Sequence, residues 1–171
     1  YLVENHGFKR IAYADTLKEA CKIIFGLSDA QLYGEAKKDI IDSYWHHSPR
    51  EILQKVGTEL FRNTLSKELK YIDKDIWVRS VEKTILNNIK KGHNKFVITD
   101  VRFQNELDFI TDNNGIIIKV VRPSLLKNKK KSHSSETMID YFPSDIMLVN
   151  DGDIIDLYNL LEHATDYCDK L

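Results

Sequence analysis

The sequence predicts an α/β fold in which a mostly parallel sheet is covered on both faces by helices. Two observations carry that expectation. Short apolar runs alternate along the chain with longer segments whose apolar residues recur at helical spacing. The clearest short run, Phe96-Val97-Ile98-Thr99, leads into Asp100-Val101-Arg102-Phe103-Gln104-Asn105-Glu106, so that an acid, a guanidinium and a second acid follow the end of a buried strand. Ligands of open α/β sheets bind just outside the carboxyl ends of the strands. Asp100 and Arg102 thus stand where a phosphorylated small molecule docks, and the planar fork of arginine matches phosphate oxygens two at a time.

In chain order, residues 9–13 read as a strand ending near Asp15, which can cap a helix carrying Leu17, Ala20, Cys21 and Ile24 on its apolar face. Gly26 closes that helix. Residues 28–42 are polar and mixed and read as short helices in a mobile insertion. Ser48, Pro49 and Glu51 make a capping-box pattern with proline at the first helical position. Ile52, Leu53, Val56, Leu60 and Phe61 form the apolar face of the helix that follows. Asp75 caps another, with Val78, Val81, Ile85 and Ile89 on one side. After the strand at 96–99 come a helix near 106–111, a strand at 116–121, a last strand at 145–149 and an amphipathic helix over 154–164. The patch Lys127-Asn128-Lys129-Lys130-Lys131-Ser132-His133-Ser134-Ser135 is too polar to pack and is expected to be an exposed loop.

Composition narrows the function classes. A chain of 171 residues with 42% hydrophobic and 30% charged residues suits one domain, or one with a small insertion. The net charge of −1 gives no general pull toward nucleic acid or anionic membranes, so any anion site must be local. Cys21 and Cys168 form no CxxC, which argues against a disulfide framework or zinc site and for a reducing, cytosol-like compartment. No apolar run approaches the ~20 residues that a membrane-spanning helix needs. His46 and His47 are neighbours on one stretch and point apart, so they are not read as metal ligands.

Several residues draw attention individually. Asp100, Arg102 and Glu106 form a substrate or metal site, or a structural ion pair at a strand end. Arg122-Pro123 ends the next strand and opens the basic loop, which makes the loop a candidate lid over phosphates. Gly57-Thr58 interrupts a good helix at a cost of ~1 kcal/mol relative to alanine, through either close helix packing or close approach of a ligand. Arg50, Gln54 and Thr58 share one side of that helix by i,i+4 spacing and suggest a binding wall. Trp77 fits the core or a stack against a base. Asn150-Asp151-Gly152 reads as a turn and helix cap.

Taken together, the order and spacing of these stretches resemble the deoxynucleoside monophosphate kinases of large bacteriophages and giant DNA viruses. The carriers are Tyr13-Ala14-Asp15-Thr16-Leu17-Lys18, Ser48-Pro49-Arg50-Glu51 through Gly57-Thr58-Glu59, Asp75-Ile76-Trp77, Asp100 through Glu106, Val121-Arg122-Pro123, His133-Ser134-Ser135-Glu136 and Val149-Asn150-Asp151-Gly152. The resemblance implies a three-layer α/β/α P-loop kinase fold, with a monophosphate-binding helical insertion at about 28–75 and a lid at about 123–136. It implies phosphoryl transfer from ATP with Mg²⁺ to deoxynucleoside monophosphates, for DNA precursor synthesis, in the cytoplasm of a host cell. Substrate-site membership would fall on Lys18, Arg50, Gly57, Thr58, Trp77, Asp100, Arg102 and Glu106. Lys18 and Arg50 would hold the acceptor phosphate. Arg102 and Arg122 would act catalytically, and Lys127, Lys129 and Lys130 would approach the phosphates from the lid. No resident metal site, nucleic-acid partner or membrane is implied, and a homodimer is left open.

One departure stands out: no G-x-x-x-x-G-K-[ST] occurs in the chain. In the resembled family that loop follows the first strand, and residues 1–5 read as the tail of the helix after it. The expectation is therefore a trimmed chain, unstable and inactive alone, because the loop cradles the donor phosphates. Two other readings stay open. One is a non-catalytic nucleotide-binding domain. The other is a metal-dependent nuclease using Asp100 and Glu106 with Lys119 nearby, which lacks a broad basic DNA surface.

Overall fold

A computed structural model describes residues 1–34, 37–126 and 141–168. They form two compact units, one of residues 2–100 and one of Tyr1 with residues 101–171.

The first unit opens with helix α1 (Leu2–His6), strand β1 (Lys9–Ile11) and helix α2 (Tyr13–Phe25). α2 starts three residues earlier than its acidic cap suggests. The N-cap is Ala12, and Asp15 sits inside the first turn, where its carboxylate accepts the Ala12 N–H at 3.1 Å. Gly26 ends the helix in the left-handed region, at φ 64°, a conformation that glycine adopts without steric penalty. The turn drives Leu27 back into the interior. Helix α3 (Asp29–Leu32) follows, N-capped by Ser28.

Helix α4 (Pro49–Gln54) begins as the sequence predicts. The Ser48 hydroxyl accepts the Glu51 N–H and Pro49 takes the first helical position. It then widens into a π-helix over Lys55–Leu65, followed by the single turn α5 (Ser66–Glu68). The i→i+5 bonding explains a difference from the predicted apolar face. Each turn takes up an extra residue, so the predicted stripe drifts: Val56 remains buried while Leu60 is exposed.

Helix α6 (Ile76–Ile89) buries Trp77, Val78 and Val81 in its first half and leaves Ile89 exposed at its end. Asp75 holds the N-cap position, but its side chain makes no capping bond. Strand β2 (Phe96–Ile98) pairs in parallel with β1, Lys9 opposite Phe96 and Ile11 opposite Ile98. The core of this unit is Cys21, Leu27, Leu32, Ile52 and Val56, with Leu17, Phe25, Leu53 and Phe61 packed against it. Ile24, predicted on the inner face of α2, is exposed, because the last turn precedes the chain reversal at Gly26. Burial pushes the Cys21 thiol up to about 11, which leaves it protonated and inert at neutral pH.

Gly57 lies where the π-helix meets α2. A Cβ there would stand 2.6 Å from Cδ2 of Leu17. The Gly57 carbonyl accepts the buried Trp77 Nε1–H at 3.0 Å. The glycine thus sits in close contact with Leu17 and Trp77. Gly57→Val is expected to lower stability by about 1–3 kcal/mol through overpacking, read as a fall in the urea midpoint at constant m. An unchanged midpoint would mean that the contact with Leu17 is slack.

The second unit contains helix α7 (Gln104–Asp112), strand β3 (Ile118–Val121), helix α8 (Pro123–Leu126), strand β4 (Ile146–Val149) and helix α9 (Ile154–Cys168). β3 and β4 pair in parallel, Ile118 opposite Ile146 and Val121 opposite Val149. α9 packs against β4 and Leu148 is buried, whereas Val120, Met147 and Val149 are exposed. The strands form two parallel pairs among the described residues, β1–β2 and β3–β4. The architecture is a mixed helix and strand arrangement with small parallel sheets, compatible with the α/β class. No helix of the described residues is long and apolar enough to cross a membrane.

Candidate functional site

In the first unit, three successive backbone N–H groups at the start of α2 all donate to carboxylates. The Ala12 N–H goes to Asp15. The Tyr13 N–H donates to Asp100 Oδ1 at 2.8 Å and the Ala14 N–H to Asp100 Oδ2 at 2.9 Å. A helix N-terminus attracts anions through such N–H groups and its dipole. Here a protein carboxylate from the end of β2 already fills that place, so an incoming phosphate must be met by side-chain cations instead.

Lys18 lies half-buried in the second turn of α2. Its Nζ sits 4.4 Å from the centroid of the Tyr33 ring and makes no ion pair among the described residues. Burial, and after it the charge of Lys38, holds its ammonium below the ordinary lysine range. Most cations nearby are neutralised. Arg10 grips Asp15 at 2.9 Å and Lys22 pairs with Asp29 at 2.7 Å. Arg50, exposed at the start of α4, pairs through Nε with Asp39 at 2.5 Å, and its backbone N–H donates to the Lys38 carbonyl at 3.0 Å. The Arg50 guanidinium in turn holds the Asp39 carboxyl below the usual carboxylate range.

The predicted wall of the site is partly interior. Thr58 is half-buried next to the buried Gly57. Trp77 is 7% exposed, its ring tilted against Phe61 at 5.4 Å, so it packs in the core. Sequence reasoning missed the segment between α3 and α4. It contributes Tyr33, Lys38, Asp39 and Asp42, whose carboxylate accepts the N–H groups of Tyr44 and Trp45 and a proton of the Gln31 amide. The local signal there was weak, since the segment lacks periodicity and several of its contacts span 11 to 14 residues.

In the second unit, Arg102 is exposed while its backbone N–H donates to Glu106 Oε2 at 2.9 Å. The same oxygen accepts the Phe103 N–H at 3.2 Å, and Glu106 is 2% exposed. Glu106 therefore fixes the first turn of α7 and the backbone beneath Arg102. Arg122, exposed after β3, donates to the Gly152 carbonyl at 3.4 Å. Asp151 accepts the Ser124 N–H at 2.9 Å, and that bond holds its carboxyl below the usual range. The turn reading of Asn150-Asp151-Gly152 matches the geometry: Asn150 Oδ1 accepts the Gly152 N–H, and the Asp153 carboxylate caps α9. Lys127, Lys129 and Lys130, with the 133–136 stretch, lie outside the described residues.

The sequence profile of the family described as deoxynucleotide monophosphate kinase matches residues 2–161. A protein of Acanthamoeba polyphaga mimivirus, whose name assigns it provisionally to the deoxynucleotide monophosphate kinases, is 37% identical over 175 residues, covering all of this chain and 90% of the mimivirus protein. The deoxynucleoside-5'-monophosphate kinase of Escherichia phage T5 is 33% identical over 84% of this chain and 54% of its own length. The deoxynucleotide monophosphate kinase of Enterobacteria phage T4 is 25% identical over 72% of this chain and 47% of its own. The matched regions thus span about half of each of these two phage proteins. No solved structure matches. With the family profile covering nearly its whole length, the chain belongs to the deoxynucleotide monophosphate kinase family.

Proposed function

We propose that this chain carries the acceptor site of an enzyme that transfers the γ-phosphoryl group of ATP to a deoxynucleoside monophosphate, releasing ADP and a deoxynucleoside diphosphate. The observation that carries the reading to particular residues is Lys18, a half-buried ammonium held over an aromatic ring with no carboxylate paired to it among the described residues. A desolvated, unneutralised cation is what an acceptor phosphate requires.

In the reaction a phosphate oxygen of the acceptor attacks the γ-phosphorus, and the bond to the β–γ bridging oxygen breaks as ADP leaves. Such chemistry is positioning and charge neutralisation above all. Lys18 and Arg50 hold the acceptor phosphate, with Arg50 exchanging Asp39 for it. Thr58 supplies a hydroxyl, and Gly57 and Trp77 shape the wall behind it. Arg102 and Arg122 neutralise charge on the transferring group, while Glu106 fixes the backbone beneath Arg102 and Asp100 fixes the start of α2, which carries Lys18. The finer architecture belongs to the same proposal: a three-layer P-loop kinase fold, an acceptor insertion at about 28–75 and a lid at about 123–136 whose Lys127, Lys129 and Lys130 close over the phosphates. Mg²⁺ enters with ATP and offsets charge on the β- and γ-phosphate oxygens. Among the described residues no group of three or more His, Cys, Asp or Glu is arranged to hold a metal ion. The nuclease reading is not favoured, since the family and the relatives that match are deoxynucleotide monophosphate kinases by name.

Coupled ADP release, measured on the full-length protein with each deoxynucleoside monphosphate in turn, tests the reading. Monophosphate binding without turnover would leave a non-catalytic binding domain. Lys18 adds a pH signature. The pH dependence of kcat/KM reports the free enzyme, in which the ammonium is depressed, so the alkaline loss of acceptor use should begin below the ordinary lysine range. A bound phosphate dianion favours the charged form, so the limb in kcat should lie at higher pH. Lys18→Arg, always charged, should remove the limb from kcat/KM. A limb that persists in that variant would assign it to another group.

A further inference from the structure

Lys18 and Lys22 lie one turn apart on α2, and Asp29 and Tyr33 stand four residues apart along α3 and its end. The four make two rungs between the helices. One is an ion pair, Lys22 to Asp29 at 2.7 Å. The other brings the Lys18 ammonium to the Tyr33 ring, 4.4 Å from its centroid. The ring is itself anchored, because the Tyr33 hydroxyl donates to Glu19 Oε1 at 3.1 Å and the Tyr33 N–H to the Asp29 carbonyl at 2.8 Å. An aromatic face attracts an ammonium without neutralising it. A carboxylate on the same rung would cancel the charge.

We infer that Tyr33 is a positioning residue for the acceptor phosphate: its ring holds the Lys18 ammonium in one place, charged and without a carboxylate partner, so that a phosphate monoester can take the remaining coordination. The inference rests on the proposal that Lys18 binds the acceptor. A long side chain ordered before binding spares the ligand the cost of ordering it. Because the contact serves ground state and transition state alike, it acts on KM rather than kcat.

The test is steady-state kinetics of the full-length protein with deoxynucleoside monophosphate varied at saturating ATP, using Tyr33→Phe, Tyr33→Leu, Tyr33→Glu and Lys18→Met. Tyr33→Phe keeps the ring and should stay within about twofold of the parent. Tyr33→Leu should raise KM for the acceptor about threefold to tenfold with kcat retained. Tyr33→Glu should raise it further, since it hands Lys18 a carboxylate while leaving the melting temperature near the parent's. Tyr33→Leu added to Lys18→Met should cost nothing more than Lys18→Met alone. If Lys18→Met raises KM and Tyr33→Leu does not, the positioning role is overturned while the acceptor site stands. If Lys18→Met itself behaves as the parent, the acceptor reading fails first. A KM rise in Tyr33→Leu that phenylalanine does not rescue, or that persists in the Lys18→Met background, would also overturn the role.

Discussion

Arg102→Ala is expected to lower kcat/KM for every deoxynucleoside monophosphate by about a thousandfold or more, the scale on which an arginine acts on phosphoryl-transfer transition states. The melting temperature should barely change. The side chain is exposed, and its guanidinium makes no hydrogen bond or ion pair among the described residues. What fixes Arg102 is its backbone: its N–H and that of Phe103 both donate to Glu106, whose carboxylate is 2% exposed. The buried acid holds the turn and leaves the fork for a ligand. Surface substitutions of this kind usually stay within about 0.5 kcal/mol of the parent. Arg102→Lys, which keeps the charge but loses the planar fork, should fall between the two. Turnover near the parent's in Arg102→Ala would remove Arg102 from the catalytic group and shift that role to Arg122.

The parts legible in the sequence were those set by short-range rules. The Ser48-Pro49 start is a local hydrogen bond plus a fixed φ, and it occurs where the pattern puts it. The apolar run at 96–98 becomes β2, and it pairs with another of the short runs, near residue 10. The acid–guanidinium–acid sequence after β2 singled out three residues but not what each one touches. Glu106 reaches back only three and four residues, a reach that the capping pattern encodes. Asp100 reaches 86 and 87 residues, to the start of α2, and no local signal encodes that. The π-helix was illegible for a different reason. Its shifted bonding accompanies the seating of Gly57 against Leu17 and Trp77, which is tertiary. The Lys18–Tyr33 contact spans the turn at Gly26, so Lys18 is half-buried only once α3 folds back.

Asp100→Ala is expected to destabilise the protein by about 2–4 kcal/mol, because two N–H groups at the positive end of α2 lose a charged acceptor together. Tyr13, one of the two donors, is only 4% exposed, so water cannot readily replace the carboxylate there. Asp100→Asn keeps one acceptor oxygen but turns an amide NH₂ toward the second N–H, and about half the loss should remain. Urea unfolding gives the difference directly, as a lower midpoint at unchanged m. The same variants separate two roles for this acid. A clamp loses stability first, and activity only as α2, and Lys18 with it, moves. A ligand-reading group would lose activity at parental stability. An Asp100→Ala protein as stable as the parent yet inactive would therefore place the carboxylate on the substrate. If the midpoint falls and the acceptor KM rises together, the end of β2 is what holds α2 in register and keeps Lys18 at its post.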